Sequence, residues 1–416
     1  MLTRKPLPKF AFPPSKLRQP PPPRRPGEEE SNTELEPFKF LLPPLHQIIS
    51  GKTIESLPDE LLFEVLARIP AGRQQQIYEA RLVCRKWYHI IHTRDFMSAY
   101  LHHSTYGLLL KSMIWESLLI LPQRGRGGGV EITQLKYKRR CKVDSSCNGL
   151  WLENSLDCKD LYVTNPTTGK IFLLPPFVGQ VSEAQYAMAY VPASMEYKVV
   201  IFYPPEKTPR AVCHILTAGV DKTWRDVDLG LVSKEASMAF SNIPLVTDGF
   251  IHWNHPCTHH LLTLNVETET ITETPCPPPT PGSRRYIYLS TGKYLSLLRP
   301  YGKCSWEVWE MSRPETGEWR KKADFCLEVL KERFNLLGLV PKEVLLPVGW
   351  VKYPELLAMT SYSKTKWTAL FLYNLVTQEI DEIGLPSYVF QYSFVVHKSS
   401  LEWLDAVKPT RRLVSK

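Results

Sequence analysis

The residues that come closest to a reactive set lie in the run HWNHPCTHH, where His252, His255, Cys257, His259 and His260 fall within nine positions. All are zinc-ligand types, and zinc holds four such ligands at fixed tetrahedral distances. A short loop interrupted by Pro256 is poorly shaped to supply them all, so the run reads as a polar hairpin loop with His252 and Trp253 on the strand leading into it. The glycine run RGRGGGV at 124–130 is followed by neither a Lys-Ser/Thr pair nor a helix, which makes it a flexible loop rather than a phosphate cradle. The sequence contains no GxSxG, HExxH or GxxxxGK[ST] string, and no GxGxxG between a strand and a helix. Lys136, Lys138, Arg139, Arg140 and Lys142 cluster in LKYKRRCKV, where they form either an anionic-ligand patch or nuclear signal, or the wet face of a strand whose dry face is Leu135, Tyr137, Cys141 and Val143. Catalytic residues, metal ligands and cofactor-binding residues are therefore expected to be absent.

The elements around these residues follow from length and patterning. A chain of 416 residues, 43% hydrophobic and 22% charged, can bury a sizeable core in two or three domains. The nine cysteines (Cys84, Cys141, Cys147, Cys158, Cys213, Cys257, Cys276, Cys304, Cys326) are odd in number and lack CxxC spacing, which fits reduced thiols in nucleus or cytoplasm. A net charge of +9 is partly placed in the N-terminal tail and in one short cluster, so neither nucleic acid nor membrane is expected as a partner. No run approaches the length of a membrane-spanning helix, and the first residues carry no apolar leader core. Residues 1–50 are Pro-rich and are expected to be disordered, because they cannot bury enough apolar area to offset ordering.

At Leu57 the pattern changes to helix. Pro58 stands at a helix start, Asp59 and Glu60 lie at the positive end of the dipole, and Leu57, Leu61, Val65 and Ile69 recur at i+4 beside Leu62 and Leu66 until Pro70. A second helix is predicted over about 73–80 and a third over about 82–92, with Val83, Trp87, Ile90 and Ile91 facing inward. Three short helices bury little by themselves, which implies a partner.

The string LPDELLFEVLARIP, followed by RLVCRKWYHII and RDF, closely resembles the F-box, the motif by which substrate receptors of cullin-RING ubiquitin ligases attach to the Skp adaptor. The resemblance implies that Leu57, Pro58, Leu61, Leu62, Val65, Leu82, Val83, Cys84 and Trp87 contact the adaptor or hold the small bundle that does. Gln74, Gln75 and Gln76 stand where aliphatics are common in that family.

Beyond Tyr100 short apolar or alternating runs dominate, bounded by Gly, Pro and Asn. Asn148-Gly149 and Asp248-Gly249 read as hairpin turns. A strand ending in Asn, then a Thr/Gly/Glu turn and another strand, recurs at LYVTNPTTGKIF, LLTLNVETETIT and ALFLYNLVTQEI, with weaker copies at CHILTAGVDKTWRDV and WEVWEMSRPETGEWRKK. The step is about 50 residues, the period of propeller blades. With TYGLLLKSMIW and YVFQYSFVVHKSSLEWL pairing to close the ring, about six blades are predicted. DFCLEVLKERF, at 324–334, is read as the one helical insertion. The repeat resembles the kelch and F-box-associated regions of plant-type receptors, although the kelch Gly-Gly pair is missing.

The fold expected is thus a small all-α module of three helices at 54–98, an all-β propeller of kelch-like blades at 105–405, and a tail at 406–416. By the resemblance, the function is the substrate-recognition subunit of a Skp–cullin–F-box ligase, binding an unidentified target protein. Two other readings remain: a kelch-type metalloenzyme, which would carry stoichiometric copper or zinc, and an F-box scaffold or transcriptional cofactor that does not promote degradation.

Overall fold

The computed structural model describes residues 57–70, 74–112, 117–123, 129–135, 141–155, 160–177, 184–203, 211–230, 232–254, 260–277, 286–301, 305–330, 344–362, 367–385, 392–404 and 411–412. The Pro-rich stretch, His255, Cys257 and His259, the basic residues of 136–140, and 124–128 of the glycine run lie outside the described residues.

Helix begins at Pro58, whose carbonyl accepts from Leu62 N at 3.0 Å to open α1 (Asp59–Ala67). The Gln-rich α2 (Gln74–Ala80) forms because glutamine is a good helix former. The third helix, α3 (Arg85–Ile91), starts later than periodicity suggests, since Leu82 and Val83 lie in a turn tied back by Leu82 N to Glu79 O and Val83 N to Ala80 O. A fourth helix, α4 (Arg94–His103), extends the expected three; Thr93 caps it, its Oγ1 accepting from Phe96 N at 3.2 Å. This helix contributes Phe96 and Tyr100, both fully buried, and Phe63 packs edge-on against Phe96 at 5.3 Å. The module's core is therefore Leu62, Leu66, Ile77, Trp87, Ile91, Phe96 and Tyr100.

Six sheets follow. The first is built from β1 (Tyr106–Ser112), β2 (Ser117–Pro122) and β3 (Val130–Leu135), and the second from β4 (Cys141–Cys147), β5 (Leu150–Ser155), β6 (Leu161–Asn165) and β7 (Lys170–Leu173). The third holds β8 (Gln185–Val191), β9 (Glu196–Tyr203), β10 (Val212–Thr217) and β11 (Arg225–Asp226). After α5 (Lys234–Ser237) and a 3-10 turn at Met238–Ser241 comes the fourth, with β12 (Leu245–Thr247), β13 (Phe250–Asn254), β14 (His260–Asn265) and β15 (Thr270–Pro275). The fifth has β16 (Ile287–Ser290), β17 (Leu295–Tyr301), β18 (Ser305–Arg313) and β19 (Glu318–Cys326). The sixth has β20 (Val344–Lys352), β21 (Leu356–Tyr362), β22 (Trp367–Asn374) and β23 (Glu379–Ile383). The last long strand, β24 (Tyr392–Lys398), returns to the first sheet and pairs with β1 from Tyr106↔Lys398 to Ser112↔Tyr392, which closes a six-bladed propeller. A two-residue β25 (Arg411–Arg412) adds to the outer edge of β7.

Each blade packs on both faces, so the core is a ring of interfaces between blades. Val200, Phe202 and Ile215 of the third blade meet Trp253, Leu262 and Leu264 of the fourth, and Val308 and Phe325 of the fifth meet Trp350, Met359 and Tyr373 of the sixth. Double-sided packing is why β9 reads as a continuous apolar run instead of alternating.

The recurring Asn has a local cause. Asn165, Asn265 and Asn374 each close the hairpin between the third and fourth strands of a blade, Oδ1 accepting from the backbone N–H groups two and three residues on. Four residues after each Asn the backbone turns through positive φ at Gly169, Glu269 and Gln378.

Two expectations for the propeller also change. Asp324–Cys326 finish β19, paired with Ser305–Glu307, and Leu327–Leu330 make only a 3-10 turn, because Phe325 and Leu327 are held in the interface between the fifth and sixth blades; residues 331–334 lie outside the described residues. The helical turn that does form, α5, is capped by Ser233, whose Oγ accepts from Ala236 N at 3.1 Å. LKYKRRCKV is not one strand: Leu135 ends β3 and Cys141 begins β4 in the next blade.

Candidate functional site

The apolar stripe of α1 is split by the fold. Leu62 and Leu66 are buried, whereas Leu61 is 54% and Val65 49% exposed. The turn before α3 carries two more aliphatics into solvent, Leu82 at 72% and Val83 at 53%; the inward position expected of Val83 fails because helical periodicity does not extend into a turn. Lys86 joins the two regions, its Nζ lying 2.6 Å from Asp59 Oδ1 and donating to Leu57 O at 2.9 Å. That contact holds the start of α3, and with it the Leu82–Val83 turn, against the first turn of α1. Pro58 is exposed, Leu57 and Cys84 are half-buried, and Trp87 is buried. Of the nine residues, Pro58, Leu61, Val65, Leu82 and Val83 are exposed, Leu62 and Trp87 are buried, and Leu57 and Cys84 lie between these extremes.

His252 sits on β13 as expected, but it is fully buried, its Nε2 2.9 Å from Thr247 Oγ1 and its Nδ1 3.0 Å from Thr263 Oγ1. Burial depresses its pKa to about 3. It is a neutral, hydrogen-bonded core histidine. Among the described residues no three His, Cys, Asp or Glu side chains are grouped to hold a metal ion.

The six innermost strands, β4, β8, β12, β16, β20 and β24, surround a central channel of about 610 Å³. Its two ends differ. At the end of the tight turns, Lys398 Nζ lies 5.1 Å over the Tyr106 ring, and Gly292, at φ +84°, leaves room for that ring where a Cβ would come within 2.2 Å. Asp248 lies at the same end, where burial raises its pKa while Lys293 and Lys398 pull it down. Tyr106 follows Ser104, the last residue of α4's cap, by two positions, so the helical module enters the propeller here. Towards the other end stands Asp144. It is the extra residue of a β-bulge in β4, where Val143↔Glu153 is followed directly by Ser145↔Leu152, and a bulge re-aims the side chain it carries. Its carboxyl is only 4% exposed; Oδ1 pairs with Lys142 Nζ at 2.5 Å, whereas Oδ2 is buried with no hydrogen-bond partner. Burial raises its pKa, opposed by the charge of and hydrogen bond from Lys142. Nothing in the sequence singles out Asp144, because a bulge is a product of strand pairing.

Two family profiles match this chain. The sequence profile described as F-box associated beta propeller domain matches residues 128–396, and the F-box-like profile matches residues 54–98. An F-box protein of Arabidopsis thaliana is 22% identical over 302 residues, covering 68% of this chain and 81% of its own length. A putative F-box/kelch-repeat protein from the same plant is 27% identical over 158 residues, covering 33% and 36%. Among solved structures, TolB from Acinetobacter baumannii is similar over 76% of this chain and 73% of its own, with 9% identity and a TM-score of 0.39.

Proposed function

The chain belongs to the F-box associated beta-propeller family, and on that premise we propose that it is the substrate-recognition subunit of a Skp–cullin–F-box ubiquitin ligase. The observation that carries the reading is the sorting of the F-box residues: Leu61, Val65, Leu82 and Val83 face solvent on a module whose core is otherwise filled, which is the form of a surface awaiting a partner. That partner is a Skp-family adaptor, and through it a cullin and the ubiquitin-loaded enzyme.

The propeller holds a target protein. Catalysis in this scheme is proximity: the receptor raises the local concentration of target lysines beside the loaded enzyme and performs no bond-making itself. The complex works in nucleus or cytoplasm.

The test is co-purification of the full chain with a Skp-family adaptor and cullin, against a Leu82→Glu/Val83→Glu variant that places two charges on the outer face. The native chain recovers both and the variant recovers neither while retaining its melting transition. Equal recovery by both chains refutes the docking assignment. Target proteins identified by proximity labelling should accumulate when the chain is removed; unchanged levels with adaptor binding intact favour a scaffold.

A further inference from the structure

We propose that the central channel of the propeller is the site that reads the target, by accepting one aromatic side chain that carries a single polar hydrogen, tyrosine or tryptophan, with Asp144 as its hydrogen-bond acceptor. The inference rests on the receptor reading above and names the chemistry of the target at that site.

Three observations carry it. The first is the asymmetry of the two propeller faces. On the face where the helical module enters, connections are short, as between β4 and β5 (148–149), β12 and β13 (248–249) and β20 and β21 (353–355). On the opposite face they are long, as between β7 and β8 (174–184), β11 and β12 (227–244) and β19 and β20 (327–343). Long connections are where binding surfaces are built, and at the short-turn end Tyr106 and Lys398 stack together in the channel wall.

The second is the lining of the channel. Ile243, Pro244, Ile287, Val348 and Phe394 supply apolar wall, and Ile243, on the long connection into β12, is 69% exposed. A channel of about 610 Å³ is in the range of sites that enclose a large side chain or small molecule. The third is Asp144 itself, a nearly buried carboxyl placed by a bulge, with one oxygen satisfied and the other lacking a donor. A buried acceptor left unpaired is costly, and a ligand that supplies the donor recovers that cost on binding.

The charge balance selects the class of donor. Asp144 is already paired with Lys142, and Asp248 lies with Lys293 and Lys398 at the far end, so the described channel groups hold no spare negative charge for a cationic side chain. Burying an unbalanced cation is unfavourable. A neutral N–H or O–H at the tip of an apolar body meets both requirements, and the phenol of tyrosine and the indole of tryptophan have that form.

The experiment uses the full chain and four probes, N-acetyl-tyrosinamide, N-acetyl-tryptophanamide, N-acetyl-phenylalaninamide and N-acetyl-argininamide, titrated by ligand-observed NMR. The tyrosine and tryptophan probes should bind at least about tenfold more tightly than the phenylalanine probe, because a site built around a hydrogen bond rejects the analogue lacking it. Asp144→Leu should remove that preference while leaving the phenylalanine probe unaffected, and Val348→Trp, which fills the channel from β20, should abolish binding of all four. Thermal unfolding of each variant within a few degrees of the native chain shows that the propeller still closes. The proposal is overturned by equal binding of the tyrosine and phenylalanine probes, as expected of a carboxyl satisfied only by water. It is also overturned by tightest binding of the arginine probe, by a preference that survives Asp144→Leu, or by no binding at all. Adaptor recovery measured on the same proteins separates the two readings, since it tests the helical face and is unaffected by Asp144→Leu.

Discussion

Truncation of the outer and inner aliphatics of α1 should have opposite consequences, although they are neighbours in sequence. Full burial of a Leu or Val side chain contributes about 1.5–3 kcal/mol. Leu61, Val65, Leu82 and Val83 retain 54%, 49%, 72% and 53% of their exposure, so each has roughly 1 kcal/mol still to gain from a partner. Replacing all four by Ala should therefore weaken adaptor binding by about 4 kcal/mol, roughly a thousandfold in Kd. The same replacement should lower the stability of the chain by under about 0.5 kcal/mol per site, less in sum than the loss at a single core position, because surface positions contribute little to the core. Leu62 is 0% exposed, and Leu62→Ala should cost about 2–5 kcal/mol of module stability through lost burial and the cavity left behind. Isothermal titration with the purified adaptor reads the first effect, and circular-dichroism melting reads the second. The reasoning is refuted if the quadruple variant binds the adaptor with unchanged Kd, or if its melting transition falls as far as that of Leu62→Ala.

Further outcomes follow from the propeller. Asn165 is fully buried and donates to Ser400 O at 3.2 Å and Glu402 O at 2.8 Å, besides capping its turn, so Asn165→Ala should cost about 2–3 kcal/mol, whereas Asn265 only caps its turn and Asn265→Ala should cost about 1 kcal/mol; equal denaturation midpoints would count against the tie to Ser400 and Glu402. His252 and His397 are buried neutral with pKa values near 3, below the unfolded value near 6.5, so the unfolded chain alone takes up these protons as pH falls from 6.5 towards 3. Stability contributed by the two neutral rings is present above pH 6.5 and is lost below it, by about 2 kcal/mol each at pH 5; His397→Gln should remove about half of the decline in Tm between pH 7 and 5, and an unchanged slope would contradict the assignment. Glu269, held down to about 2 by hydrogen bonds from Arg225 and Lys198 on the neighbouring blade, links the third and fourth blades. Being partly exposed, Glu269→Gln should cost no more than about 1 kcal/mol in denaturant titration, with the deficit shrinking at high salt.

Much of this architecture is written locally. The proline-started stripe from Leu57 to Ile69, the Asn that closes each outer hairpin, and the spacing of about 50 residues follow from short-range preferences of helix caps, Asx turns and apolar runs, which a linear reading can follow. The ends of the chain could be matched because TYGLLL and YSFVVHK are both apolar strands in need of a partner. Helix α4 escaped such a reading because its inward residues Phe96 and Tyr100 are few, and their burial depends on packing against α1 and α3. The sequence alone therefore determined the helical module, the family and the repeating blades, since each is set by residues close together in the chain. Only the tertiary structure decided that Leu61 faces out while Leu62 faces in, that His252 is a core residue, and that a bulge turns Asp144 towards the channel, because burial and strand register are set by residues distant in sequence.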